Sequence, residues 1–172
     1  REASNYERDC RLGRSDENTL LVVRLRGDYN FARAFRHSGK IVYLIVWNAP
    51  IDDPDHEENA VQAAIEMQEE LKLLNTELAK ENLPNINIGI GINTGEALVG
   101  NMGSNQRFDY SVIGDAVNLA SRLESSSKTL GKTLVIGEET VRAAKLNYDF
   151  DYVDKITVKG KTEEIKVYTI KS

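Results

Sequence analysis

Cysteine is almost absent from this chain. Cys10 is the single one in 172 residues, and His37 and His56 are the only histidines, so neither an internal disulfide framework nor a Cys/His zinc site can be built. That scarcity suits a reducing compartment. Excess positive charge is missing too: the net charge is −5 and the pI about 5.2, which removes the field that would attract a polynucleotide but leaves room for a local basic site facing a phosphorylated small molecule. Long apolar runs are also lacking. Stretches such as Ile41 to Trp47 fall far short of the roughly 20 residues a membrane-spanning helix needs, and no basic segment followed by an apolar one opens the chain as a secretion signal would. The expected setting is cytoplasmic, either free or as the cytoplasmic domain of a longer membrane-anchored protein.

What is present suffices for one folded domain: 41% of residues are hydrophobic and 28% charged. Residues 1–18 are polar without sustained periodicity and read as a poorly ordered tail, leaving residues 19–172 as a single domain. Thr19 to Arg26 and Lys40 to Trp47 carry β-like runs. From Asn59 to Leu83 the period changes to that of a helix, with Ala60, Ala64, Met67, Leu71, Leu74 and Leu78 on one face. Beyond Pro84, Ile86, Ile88, Ile90 and Ile92 alternate with Asn and Gly, the mark of a half-buried strand. Asn93-Thr94-Gly95-Glu96 has the composition of a turn and predicts a hairpin into Ala97 to Gly100. A strand over Tyr110 to Ile113 then leads to a helix over Ala116 to about Ser125, with Asp115 as its N-cap. A strand at Lys132 to Ile136, a helix at Glu138 to Lys145, and a last hairpin joining Val153–Val158 to Ile165–Ile170 complete the order. Helices interspersed with hairpins predict an α+β fold, an antiparallel-rich sheet with helices packed on it.

Several familiar motifs fail on inspection. Two Gly-Lys-Thr triplets, at Gly131 and Gly160, lack the upstream glycine of a P-loop, because positions 126 and 155 are Ser126 and Lys155. Gly89, Gly91 and Gly95 miss the dinucleotide-binding spacing by one residue and do not lead into a helix. The acidic run Asp52 to Glu58 lacks the spacing and central glycine of an EF-hand loop, and reads as a solvated turn whose charges favour the start of the next helix.

One pair survives. Asn118 and Arg122 stand four residues apart on one helix, so they share a face and lie one turn apart. Arg presents donors suited to a phosphate and Asn can hold a sugar or phosphate oxygen, which suggests a nucleotide. Spacing alone also accommodates an ordinary solvent-facing helix.

The run Asp109-Tyr110-Ser111-Val112-Ile113-Gly114-Asp115-Ala116-Val117-Asn118-Leu119-Ala120-Ser121-Arg122-Leu123-Glu124 resembles the signature strand and helix of class III adenylate and guanylate cyclases. Trp47-Asn48-Ala49-Pro50, Gly89 to Gly95, Val99 to Gly103 and Val158 to Lys161 are similar to other blocks of that family, in the same order. The resemblance implies a ferredoxin-like domain that dimerises, as a homodimer or a mixed dimer, with nucleotide at the interface. By position it assigns Asn118 to the ribose, Arg122 to the α-phosphoryl group, and Lys159 to the terminal phosphates. Ser111 falls at the purine-discriminating position, where a hydroxyl can accept from the adenine amino group. ATP is therefore the expected substrate, and GTP the alternative.

The family also implies Mg²⁺ or Mn²⁺ held by two aspartates, which neutralise charge on the transferring phosphoryl group. The alignment places Arg24 and Ile41 at those two positions, with His37 where adenylate cyclases carry a base-recognising lysine. Asp28 lies near the first position, yet one carboxylate does not rebuild a two-metal site. No metal ligand is assigned. Three readings stay open: an active cyclase with a divergent N-terminal part, a silent nucleotide-binding pseudo-cyclase, and one half of a mixed dimer. A domain serving interaction alone would bind no nucleotide.

Overall fold

Alternation in the Ile-rich segment decides the architecture. Ile88, Ile90 and Ile92 face one side of their strand, while Gly89, Gly91 and Asn93 face the other, so the strand can be covered on both faces. The computed structural model describes residues 14–26, 36–37, 40–49, 52–104, 107–144, 148–157 and 164–171. In chain order these give strands β1 (Arg14–Arg26), β2 (Arg36–His37) and β3 (Lys40–Trp47), helix α1 (His56–Lys80), strands β4 (Asn87–Ser104) and β5 (Arg107–Ile113), helix α2 (Asp115–Thr129), strand β6 (Leu134–Gly137), helix α3 (Glu138–Ala143), and strands β7 (Phe150–Thr157) and β8 (Glu164–Ile170).

Among the described residues the strands form one sheet in the order β2-β3-β1-β4-β6-β8-β7, with β5 paired to the far part of β4. Only the β4–β6 pair is parallel; the other pairs are antiparallel. The α+β class expected from the sequence is the one observed. α1 covers one face of β4: Ala60, Val61 and Ala64 pack with Ile88, Ile90, Ile92, Leu134 and Ile136. Burying each of those large aliphatic side chains is worth about 1.5–3 kcal/mol. α2 covers the opposite face, where Ala116 and Ala120 meet Ala97 and Val99, and Leu123 meets Val135 and Val167.

Several boundaries differ from the sequence expectation. β1 begins at Arg14, not Thr19, because its backbone pairs with β4 without interruption from Arg14↔Val99 to Arg26↔Asn87, so residues 14–18 belong to the sheet. Residues 1–13 lie outside the described ones. The expected hairpin at Asn93–Glu96 does not form: β4 runs straight through, and the chain turns back between Ser104 and Arg107. Such a turn needs positive φ at its centre, and neither Thr94 nor Gly95 has it. α1 starts three residues before Asn59 and ends before Leu83, where Asn82 takes a left-handed conformation (φ 56°) ahead of Pro84. Asp115 is not the N-cap of α2. That position is Gly114, at φ 157°, where a Cβ would lie 2.9 Å from the Glu96 carbonyl oxygen, while Asp115 occupies the first turn and favours the helix dipole.

The Gly131 triplet is a helix stop, with Gly131 at φ 65° just past α2. Asp53 braces the start of α1 by accepting from Asn59 Nδ2 (2.9 Å) and from the Asp55 backbone N–H (3.1 Å), as a solvated turn would. Among the described residues no helix is long and apolar enough to cross a membrane.

Candidate functional site

Asn118 and Arg122 owe their placement to the small residues behind them. On α2, Ala116, Ala120, Leu123, Glu124 and Ser127 are buried, and this inner face leaves Asn118 and Arg122 about 200° and 240° round from Ala116, on the outward side. Asn118 is exposed and Arg122 half-buried, and the two lie one turn apart. Ser111 is half-buried on β5, paired in register with Gly100, and reaches α2 through only Gly114 as a turn. Strand, turn and helix thus bring Ser111, Asn118 and Arg122 onto one continuous unit. Lys159 lies outside the described residues.

The inner face is tied down by groups to which the sequence assigned no such role. Asn93, 2% exposed, donates from Nδ2 to the Ala116 carbonyl oxygen at 3.2 Å. A Cβ on Gly91 would sit 2.3 Å from the Glu124 backbone nitrogen and 2.4 Å from the Ala120 oxygen, so helix backbone lies directly on strand backbone there. Thr94 and Thr140 share a buried hydroxyl–hydroxyl hydrogen bond of 3.0 Å, joining β4 to α3. The signal was present in the sequence as a face of small residues, Gly89, Gly91, Asn93 and Gly95, opposite the isoleucines. Buried Glu124 has Ser125 Oγ donating to its Oε2 at 3.3 Å.

A pocket lies elsewhere, lined by Pro54, Asp55, His56, Glu57, Glu58 and Ala143. Its three carboxylates would repel a polyphosphate, and none of the nucleotide-facing candidates lines it.

The positions aligned with the family's metal ligands fall on β1 and β3. Arg24 is paired with Val42, next along from Ile41, so those positions are neighbours across two adjacent strands. Arg, Ile and Val offer no oxygen donor, β3 contains no acidic residue, and among the described residues no three His, Cys, Asp or Glu side chains gather as a metal site would require. The described residues at these positions do not fit a pair of divalent cations. Asp28 lies outside the described residues, and His37 is placed only as the end of the short β2, opposite Lys40.

Comparison with known proteins agrees with this geometry. The profile described as "Adenylate and Guanylate cyclase catalytic domain" matches residues 40–172. The chain is 30% identical over 164 residues to adenylate cyclase 1 of Rhizobium meliloti, covering 92% of this chain and 25% of that protein. It is 39% identical over 164 residues to an adenylate cyclase of Anabaena cylindrica, covering 89% of this chain and 33% of that protein. It therefore spans a quarter to a third of the length of these curated relatives. Among solved structures it resembles the guanylyl cyclase Cya2 (TM-score 0.77, 26% identity, 92% of this chain and 93% of that one). The adenylyl cyclase CyaB from P. aeruginosa has the same fold (TM-score 0.75, 24% identity, 92% and 96% covered). With the matched profile spanning most of the chain and the strand–turn–helix unit in place, this chain belongs to the class III adenylate and guanylate cyclase catalytic domain family.

Proposed function

We propose that this domain takes part in converting ATP to 3′,5′-cyclic AMP and pyrophosphate at an interface between two cyclase domains, to which it contributes Asn118 and Arg122. The observation that carries this reading is the outward presentation of both side chains from a helix whose other face is fixed on the sheet. In the reaction the ribose 3′-oxygen bonds to the α-phosphorus, the bond from that phosphorus to the bridging oxygen breaks, pyrophosphate leaves, and the 3′-hydroxyl proton passes to solvent. Asn118 orients the ribose and Arg122 offsets the negative charge that develops on the α-phosphoryl oxygens. Ser111 accepts from the adenine amino group, and Lys159 holds the terminal phosphates.

The base is the finer choice. Structural neighbours include a guanylate cyclase domain in complex with GTP and a rhodopsin-guanylyl cyclase core with converted specificity in complex with ATPαS, so the purine is a matter of individual residues on this fold. A serine at position 111 favours ATP.

The pairing of β1 with β3 supports a division of labour. With Arg24 paired to Val42 and no carboxylate in β3, two copies of this chain would duplicate the same deficiency. We infer that the domain works opposite a cyclase domain bearing the metal-binding aspartates, and that its homodimer binds nucleotide without turning it over. The test is Arg122→Ala in such a mixed assembly. Turnover is expected to fall about 100-fold or more while ATP affinity changes by less than about threefold, the signature of a transition-state contact. Equal losses in both would remove that role.

A further inference from the structure

The glycine face of β4 does more than make room for α2. We infer that Gly95 and Asn93 are positioning residues that set the tilt of α2 and, through it, the placement of Asn118. This inference rests on the nucleotide-facing role of that helix.

α2 touches β4 at two places of different character. Near its middle, the prospective Cβ of Gly91 would meet the Ala120 oxygen and the Glu124 nitrogen at 2.4 and 2.3 Å, contacts between backbones that nothing can adjust. At its start, a Cβ on Gly95 would lie 3.1 Å from the Ala116 Cβ, tight but open to a shift of a few tenths of an ångström. Asn93 stands between the two and holds the first turn down by its bond to the Ala116 carbonyl oxygen. The helix is thus seated on a fixed point at Gly91 and clasped at its N-terminal end. A push at Gly95 rocks the helix about Gly91. Asn118, two residues from Ala116, moves with the pushed end, whereas Arg122, between Ala120 and Glu124, sits over the pivot.

The consequence is a selective defect. Gly95→Ala should reproduce the loss caused by Asn118→Ala and not that caused by Arg122→Ala. Its partner offers a rescue: Ala116→Gly removes the methyl group that the new Cβ meets.

The experiment compares wild type, Gly95→Ala, Ala116→Gly, the double variant Gly95→Ala/Ala116→Gly, Asn118→Ala, Gly95→Ala/Asn118→Ala and Arg122→Ala. Each is assayed for ATP turnover beside a carboxylate-bearing cyclase domain, for ATP affinity by calorimetry, and for Tm. Gly95→Ala is expected to lower kcat about tenfold with KM within about twofold, since small misplacements of a positioned group act mainly on the chemical step. The Ala116→Gly partner change should recover most of that loss, and adding Gly95→Ala to Asn118→Ala should cost nothing further. A Gly95→Ala chain with wild-type turnover, or a defect that Ala116→Gly leaves untouched, overturns the inference alone. If wild type and Arg122→Ala are equally inert but ATP still binds, the cyclase reading fails. The inference is then decided by crystal structures: an N-terminal end of α2 shifted in Gly95→Ala and restored by Ala116→Gly upholds it, and an unmoved helix overturns it. A wild-type chain that neither binds nor turns over ATP removes both.

Discussion

The two faces of β4 are built on different principles. On one, Ile88, Ile90 and Ile92 interlock with α1 through deformable aliphatic side chains. On the other, Gly91 lets α2 rest on the strand with almost nothing between the backbones, and Gly95 leaves room for the Ala116 methyl group. Aliphatic packing supplies most of the stability and spreads a disturbance over many contacts. Backbone seating supplies little area but fixes a helix closely, as the role proposed for Asn118 and Arg122 requires. On that proposal, stability and positioning fall to opposite sides of one strand.

Substitutions on each face should separate these roles. The largest effect is expected at Gly91: Gly91→Ala forces a methyl group into the backbone of α2 and should cost about 3 kcal/mol or more, read as a large fall in Tm or in soluble yield. If Gly91→Ala keeps the wild-type Tm, backbone seating is not a constraint and the contrast between the faces collapses. A smaller effect belongs to the α1 side. Asn75 clasps the approach to β4 with two bonds, accepting from the Ile86 N–H (2.7 Å) and donating to the Ile86 carbonyl oxygen (2.9 Å), as a neighbouring strand would. Asn75→Ala should lower stability by about 1–2 kcal/mol, measured by denaturant unfolding, and leave ATP affinity unchanged. An affinity loss there would show that the α1 face also positions the site.

The smallest effect concerns Tyr148, whose hydroxyl donates to Gln62 Oε1 of α1 at 2.5 Å. Burial, then the carboxylates of Glu58 and Glu66, raise its pKa above the ordinary value. The folded state thus holds the proton more tightly than the unfolded chain. The associated stability is present below about pH 10 and is lost as pH rises through the folded-state value. Tyr148→Phe should flatten the alkaline fall in Tm; an unchanged alkaline profile would assign that fall to other groups.

Periodicity made some of this legible from the sequence. The stripe along α1 and the alternation in β4 depend only on spacing. Even so, the stripe outruns the sheet, for Leu74 is 45% exposed in the last turns of α1. Asn, Thr and Gly at Asn93–Glu96 have the composition of a turn, yet β4 runs through them and their smallness serves the approach of α2. The start of β1 at Arg14 was illegible for a related reason: backbone pairing with β4 fixes it, and polar side chains give no sign of that. The shared face of Asn118 and Arg122 followed from their four-residue interval, and family resemblance supplied the roles proposed for them. What held that face in place depended on tertiary contacts at Gly91, Asn93 and Gly95, which no interval within α2 encodes.

The contrast that matters most for function lies between this helix and the paired strands β1 and β3. One keeps Asn118 and Arg122 presented outward; the other puts Arg24, and Ile41 beside its partner Val42, where the family's reaction calls for carboxylates. The most direct test is product analysis with ATP and Mn²⁺ or Mg²⁺, for the chain alone and mixed with a cyclase domain that has both aspartates but carries substitutions at its own Asn and Arg positions. The account predicts ATP binding without product for the chain alone, and cyclic AMP from the mixture that disappears with Arg122→Ala. Cyclic AMP made by the chain alone and abolished by Arg122→Ala would contradict it, and would locate metal-binding groups within this chain.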